Sequence, residues 1–251
     1  MKFIDVHCHI HREEFKEDLD EVIVRAKRNG VIAIITSSIS IVGFYRALNL
    51  IEKYKGYIYL SAGLDPRIVD LKTVHKMMDL CIEYMDRIIA IGEVGLDYWW
   101  IKEHSLRERQ REIFVKWIKL SRQLDLPLVI HSRSAGKYAI EILIKNSADR
   151  VLMHAFDGKP VYAKRGVVNG YFFSIPTSIC RSRQKQKLVK NLSLENILLE
   201  TDSPVLSPIK NARNEPANII YAARKIAEIK SIDLNYLSQI TLKNTKRLFN
   251  I

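Results

Sequence analysis

Eight short apolar runs, each followed by a segment with helical apolar spacing, constrain this chain more than any other feature. The first strand begins at Lys2 and carries Phe3, Ile4 and Val6 to His7 and His9. The others read as Val31–Thr36, Tyr57–Ala62, Arg87–Ile91, Pro127–Ile130, Arg150–Met153, Tyr171–Ser174 and Ile197–Leu199. Between them, helices are predicted over Glu13–Asn29, Ile41–Tyr54, Ile68–Tyr84, Ser105–Leu124, Tyr138–Lys145, Val161–Gly166 and Gln184–Asn191, with two closing helices at Ala217–Ile229 and Asp233–Phe249. Continuous apolar strands alternating with amphipathic helices imply a parallel sheet with its outer face covered. Eight such units in 251 residues fit an α/β fold of the (β/α)8 TIM-barrel type, spanning residues 1–251 as a single domain. A doubly wound open sheet is the alternative, but the glycine fingerprint that usually follows its first strand is missing.

The polar residues that end these strands carry the chemistry. Side chains alternate along a strand, so His7 and His9 share a face and their imidazoles can converge on one ion. Glu93 follows strand four, His131 strand five, His154 strand six and Asp202 strand eight. In a barrel the C-terminal strand ends surround one mouth, where such folds keep their active sites. Four imidazoles and two carboxylates brought together and left unpaired would be costly to bury; divalent ions would satisfy them. They exceed the three protein ligands of one open catalytic zinc and suffice for two ions about 3.5–4 Å apart with a bridging carboxylate. Such a pair activates a water and clamps a substrate oxygen, which is hydrolytic machinery. The donor set accepts zinc, magnesium, manganese or a similar divalent metal. No HExxH helix, nucleophile elbow or P-loop competes with it.

The formal net charge of +12 favours an anionic partner, with DNA or another nucleic acid first in line. Three cysteines, widely spaced and odd in number, form no disulfide framework and suit a reducing cytoplasm. No apolar run approaches a membrane span, a strand starting at Lys2 leaves no room for a signal peptide, and a monomer is expected.

With these residues in place, the chain resembles the TatD family of metal-dependent hydrolases, often called TatD deoxyribonucleases. The likeness runs through Asp5-Val-His-Cys-His9, Ile91-Gly-Glu-Val-Gly-Leu-Asp-Tyr98, Leu126-Pro-Leu-Val-Ile-His-Ser-Arg133, His154-Ala-Phe-Asp-Gly158, Leu199-Glu-Thr-Asp-Ser-Pro204 and Asn214-Glu-Pro-Ala217. The resemblance implies one ion on His7, His9, Glu93 and Asp202, and a second on Glu93, His131 and His154, with Glu93 bridging. Asp202 would also hold the attacking water and accept its proton. Members are described as nucleases, frequently exonucleolytic from the 3′ end of DNA, and some are linked to removing D-amino acids from tRNA. The chain departs from the family's Gly-x-His-Pro at Gly63-Leu64-Asp65-Pro66, and Phe156-Asp157-Gly158 adds a second acid near the mouth. As an anion Asp65 would repel a phosphate, which keeps open an ester or amide hydrolase such as a D-aminoacyl-tRNA deacylase. A third alternative is a non-catalytic nucleic-acid-binding protein on the same scaffold.

Candidate substrate contacts follow. Arg133, two residues past His131, is placed to clamp a phosphate. By the resemblance Asp65 stands where the family's histidine assists at the scissile phosphate, and Tyr98, Trp99 and Trp100 extend from the loop after Glu93, where they could stack on bases. Lys210 and Arg213 remain of a basic loop before Asn-Glu-Pro. Arg181, Arg183, Lys185 and Lys187 form a basic run after strand seven, readable either as a backbone track or as a solvated helix face.

Overall fold

Every apolar run pairs in parallel with its neighbour in sequence. The computed structural model describes all residues, Met1–Ile251. Its strands are β1 (Phe3–Cys8), β2 (Val31–Ser38), β3 (Ile58–Ala62), β4 (Ala90–Asp97), β5 (Leu128–Arg133), β6 (Val151–Met153), β7 (Phe172–Ile175) and β8 (Ile197–Leu199). They form one eight-stranded sheet in the order β1 to β8. The helices are α1 (Leu19–Arg28), α2 (Ile41–Lys53), α3 (Leu71–Glu83), α4 (His104–Gln123), α5 (Gly136–Lys145), α6 (Pro160–Val168), α7 (Arg183–Asn191), α8 (Ile219–Lys230) and α9 (Leu234–Phe249). The result is the expected TIM barrel, nearly closed.

The seam between β1 and β8 is tied by the site's own residues. The Asp202 N–H donates to the His7 carbonyl at 2.9 Å and the His9 N–H to the Ser203 carbonyl at 2.7 Å. The buried Asp5 carboxylate accepts the Thr201 N–H at 2.9 Å and the Thr201 hydroxyl at 2.5 Å. The same contacts that join β1 to β8 thus set His7 and His9 beside Asp202.

Two bulges aim the strand ends. Ile4 and Val6 on β1 pack inside the barrel with Ile35, Val129, Leu152 and Leu198, whereas Phe3, Cys8 and Ile10 pack outward against the helices. Strict alternation from Val6 would turn His7 outward. A register shift between Asp5 and Cys8 adds one residue to β1, so that His7 and His9 face inward. β4 repeats the device. Ala90 packs inside and Ile91 outside, a shift lies between Ile91 and Val94, and Glu93 and Asp97 then reach the interior. Gly63 makes this possible from the next strand, because a Cβ there would lie 2.6 Å from the Gly92 carbonyl carbon. Below the polar layer the barrel is filled by apolar side chains, with Leu248 and Phe249 of α9 packed into the same cluster.

Three expectations are revised. The predicted helix Glu13–Asn29 is a 3-10 turn, Glu13–Phe15, followed after a break by α1. Phe15 is buried there while Asp18 is taken by Arg25 and Arg213, contacts that periodicity cannot register. Strand four, read as ending at Ile91, extends to Asp97, because its polar, glycine-containing end still pairs with β5. The last-but-one helix begins with a 3-10 turn at Pro216–Asn218.

Candidate metal centre

All six ligand-type residues meet at the C-terminal mouth of the barrel. His7 Nε2 lies 3.3 Å from Glu93 Oε2 and 3.7 Å from Asp202 Oδ1. His9 Nε2 lies 3.4 Å from Glu93 Oε2 and 3.3 Å from Asp202 Oδ1. Across the site His131 Nδ1 is 2.6 Å from Glu93 Oε1, and His154 Nε2 is 3.8 Å from the same oxygen. Three overlapping groups could each hold an ion: His7, His9 and Glu93; His7, His154 and Asp202; and Glu93, His131 and His154.

Each imidazole is oriented from behind. Ser37 at the end of β2 holds two: its hydroxyl meets His7 Nδ1 at 3.0 Å, and its carbonyl accepts from His9 Nδ1 at 2.7 Å. Buried Glu200 accepts from His154 Nδ1 at 2.8 Å, from the Ala155 N–H at 2.9 Å and from the Ser174 hydroxyl. Asp97 accepts from His131 Nε2 at 3.1 Å. Such outer partners fix ring orientation and raise ligand basicity. Ser37, Asp97 and Glu200 were not among the sequence candidates. Glu200 and Asp97 lie inside quoted motifs, but nothing in their spacing shows which imidazole they face.

The electrostatics fit a cation. His7 Nε2 is fully buried and makes no hydrogen bond, an orphaned nitrogen that a metal ion would satisfy. Its ring stacks on His154 with centroids 3.6 Å apart, and burial, then the His154 charge, push its pKa down. Burial opposes charge on His131, but hydrogen bonds to Asp97 and Glu93 outweigh it and raise the pKa to about 10. At His154 burial is likewise outweighed, by the charges of Glu200 and Asp202, giving about 9. Burial would neutralise Glu93, yet the hydrogen bond from His131 and the nearby His7 and His154 hold it well below the carboxylate range. Asp202 is lowered despite burial, chiefly by the charge of His154.

A cavity of about 540 Å³ opens over this cluster, its wall including Arg12, Asp65, Arg67, Trp100 and Arg133. Arg133 is thus where the sequence suggested. Asp65 also lines the mouth, but Arg67 grips its carboxylate through Nε at 2.9 and 3.0 Å and through Nη2. The Asp65 carboxylate, expected to repel an anion, is thus accompanied by a guanidinium. Asp157 accepts the Ser134 N–H at 2.8 Å at the same rim.

Two expected substrate contacts lie elsewhere. Tyr98 is 4% exposed; its hydroxyl accepts from Arg111 at 2.7 Å, and Arg107 covers its ring. It is packed beneath the loop as part of the core that lies outside the barrel, and its N–H continues the pairing with β5 at the Arg133 carbonyl, at 2.9 Å. Arg213 pairs with Asp18 through both terminal nitrogens and lies over Phe15, tying the β8 loop to the α1 side of the barrel. The neighbouring Asn214 and Glu215 are structural too. Asn214 donates to the Thr201 and Val205 carbonyls, and Glu215 binds Arg25.

The basic run is divided. Arg181 and Lys187 are exposed, whereas Lys185 turns inward to 9% exposure. Its ammonium donates to the Ala155 carbonyl at 2.6 Å and the Phe156 carbonyl at 2.8 Å, and it lines the cavity. Burial pulls it down to about 8 against the pull of Asp157 and Glu200.

Comparison with known proteins agrees with this architecture. The family model described as TatD related DNase matches residues 4–250. The human protein named deoxyribonuclease TATDN3 is 42% identical over 257 residues, covering 98% of this chain and 94% of that protein. The metal-dependent hydrolase MJ1582 of Methanocaldococcus jannaschii is 39% identical over 251 residues, covering 99% and 97%. Among solved structures, the TatD homologue YJJV of Escherichia coli K12 superposes with a TM-score of 0.91 at 28% identity, covering 99% of this chain and 98% of that one. The barrel, the converging ligands and a family match along almost the whole chain agree: this chain belongs to the TatD family of metal-dependent hydrolases.

Proposed function

We propose that the protein hydrolyses phosphodiester bonds in DNA, releasing nucleotides from strand ends with two divalent ions held by His7, His9, Glu93, His131, His154 and Asp202. The observation that carries this reading is the sharing of Glu93: one carboxylate oxygen faces His7 and His9, the other His131 and His154. That is the disposition of a bridging ligand between two ions. Ions bound there would lower the pKa of a water and polarise the scissile P–O bond.

The chain's own groups supply the rest. Asp202, held ionised, accepts the proton of the attacking water. Arg133 and Arg67 at the rim hold the phosphate, and Asp65 keeps Arg67 in place. Lys185 braces the turn that presents His154. A pocket closed below by packed side chains receives a strand end more readily than it threads a continuous strand. The relatives named deoxyribonuclease support the same substrate class.

The ester or amide alternative drew on Asp65 and Asp157. With Asp65 engaged by Arg67, its support is reduced to Asp157. A non-catalytic scaffold is disfavoured because every ligand is present and oriented. The test is nucleotide release from end-labelled single-stranded DNA by chelator-stripped protein with added manganese, zinc or magnesium, beside hydrolysis of a D-aminoacyl ester. Activity on DNA that survives in Glu93→Ala and His154→Ala variants, or turnover of the ester alone, overturns the reading.

A further inference from the structure

A second cavity, of about 410 Å³, lies between the turn after β1 and helix α2, and the metal chemistry makes no use of it. His11, Arg12, Glu13 and Lys16 line it from the turn, Arg46 and Asn49 from α2. Three cations thus face one carboxylate. Arg12 also lines the metal cavity, so the two spaces share a wall. The His9 and His11 rings are 6.2 Å apart, one lining each space.

The imidazole of His11 is the group that calls for a ligand. It is 8% exposed, and its one hydrogen bond joins Nδ1 to the Thr36 hydroxyl at 2.8 Å. The buried Thr36 hydroxyl has no other acceptor, so its hydrogen goes to Nδ1 and the ring proton sits on Nε2. Nε2–H is then a nearly buried donor without a partner, an arrangement that proteins avoid. Gly43 leaves it uncovered, because a Cβ there would lie 3.0 Å from Nε2. Arg46 follows Gly43 by three residues on the same face of α2. Its Nη2 meets Glu13 at 2.5 Å, and Arg12 Nη2 meets Glu14 at 2.7 Å. These side chains are 40–59% exposed, and ion pairs so open contribute little, so an incoming anion displaces them at small cost.

We propose that this cavity is an anion site, separate from the metal centre, that takes a phosphate group between His11 Nε2–H and the guanidiniums of Arg12 and Arg46. The inference goes beyond the phosphodiesterase reading and stands without it. A neutral donor at depth and two forked cations at the rim match the oxygens of a phosphate, which accept from several directions at once. A metal cation is excluded, since the basic side chains repel it and Nε2 has no lone pair to offer. An apolar ligand would leave Nε2–H unpaired. The phosphate can belong to a free ion, to a nucleotide or to a nucleic-acid chain; the recognising groups are the same.

The experiment follows the His11 ring nitrogens by proton–nitrogen NMR while inorganic phosphate is added at constant ionic strength. It is run on zinc-loaded protein and repeated in chelator. A saturable shift at Nε2 is expected in both, with a dissociation constant of about 1 mM or below. Arg46→Ala is expected to weaken binding roughly 10-fold, and Arg46→Lys, which keeps the charge but not the fork, by less. His11→Phe, which fills the space without a donor, is expected to weaken it similarly, read by the phosphorus line width. Should that buried variant not fold, the Arg46 series decides alone, because Arg46 is exposed. Thymidine 5′-monophosphate and oligothymidylates of rising length then identify the source. Affinity that rises with length assigns the phosphate to a nucleic-acid chain, and affinity greatest for the monophosphate or for the inorganic ion assigns it to a free ligand; either upholds the site. No saturable shift up to about 10 mM phosphate overturns it, as does unchanged affinity in Arg46→Ala. A shift equalled by chloride, or seen only with zinc loaded, also overturns it, the first being screening and the second phosphate on the ions. Failure here leaves the hydrolytic reading untouched, since no metal ligand is altered.

Discussion

Asp97 and His131 are joined by a 3.1 Å hydrogen bond, Nε2–H to Oδ2, that leaves Nδ1 facing Glu93 at 2.6 Å. His131 is thereby clamped between two carboxylates, Glu93 in the site and Asp97 behind it. Asp97→Asn keeps the shape but removes the charge that supports the ring. Metal affinity is expected to fall about 10–100-fold. Competition against a chromophoric chelator checks this; an unchanged dissociation constant would show that Asp97 serves only the Trp99–Trp100 turn, whose backbone N–H groups its Oδ1 accepts.

On the proposed two-ion reading, the position of Glu93 between the two histidine pairs gives a stoichiometric prediction. Glu93→Gln removes the one carboxylate shared by both sides of the site. Metal content after gel filtration is expected to fall from two ions per chain in the wild type to one or none, with hydrolysis lost. Elemental analysis reads the ratio directly, and a variant that still retains two ions would refute bridging by Glu93.

The pH dependence of metal uptake and of metal-free stability should run in opposite directions. In the metal-free protein His131 titrates at about 10 and His154 at about 9, both above the ordinary 6.5. A raised folded-state pKa stabilises fully below the unfolded value and ceases to do so as pH rises through the folded one. Thermal stability in chelator is therefore expected to decline from about pH 6.5 towards 10, other groups being equal. Over the same window metal affinity should rise, because ions and protons compete for the same imidazole nitrogens and binding releases protons. Melting curves with and without metal across that range, and proton release by calorimetry in buffers of different ionisation enthalpy, test both halves.

Lys185 illustrates a brace at the rim. Lys185→Met keeps its length and packing but leaves the Ala155 carbonyl without its donor and the Phe156 carbonyl with only the 3.4 Å bond from Gln184. The cost expected is about 1–3 kcal/mol, or a melting-point drop of roughly 2–10 °C for a chain of this size. Catalytic turnover should fall as well, because the turn after His154 loses its tether. A variant that melts and turns over like the wild type would remove Lys185 from the site.

Arg213 offers the converse control. It pairs with Asp18 at a part-exposed position, side chains 37% and 27% exposed, so Arg213→Ala is expected to cost about 1 kcal/mol or less and to leave the KM for DNA unchanged. A several-fold rise in KM would restore it to the substrate-binding surface.

The alternation of apolar runs and helical stripes was enough to expect the barrel, because burial on both faces leaves a parallel strand no polar position until it emerges at its end. The same logic located His7, His9, His131, His154 and Asp202 near such ends, and Glu93 just past the apolar run of strand four, although β4 itself continues to Asp97. Helix continuity was less legible. The break between Phe15 and Leu19 follows from where Asp18 and Phe15 find partners remote in sequence, and local periodicity carries no record of those.

What the sequence determined by itself was therefore a cylinder of eight strands and the chemical identity of its rim, since both follow from local patterning of polarity. Only the tertiary structure decided which way those residues point and what holds them. One extra residue in β1 and another in β4 turn the ligands inward, and Ser37, Asp97 and Glu200 orient the rings from neighbouring strands. It also put Tyr98 and Arg213 outside the pocket and Lys185 within it. The reason is physical: polarity is written along the chain, but register and hydrogen-bond partnership are settled between segments, by pairings that exist only once the barrel has closed.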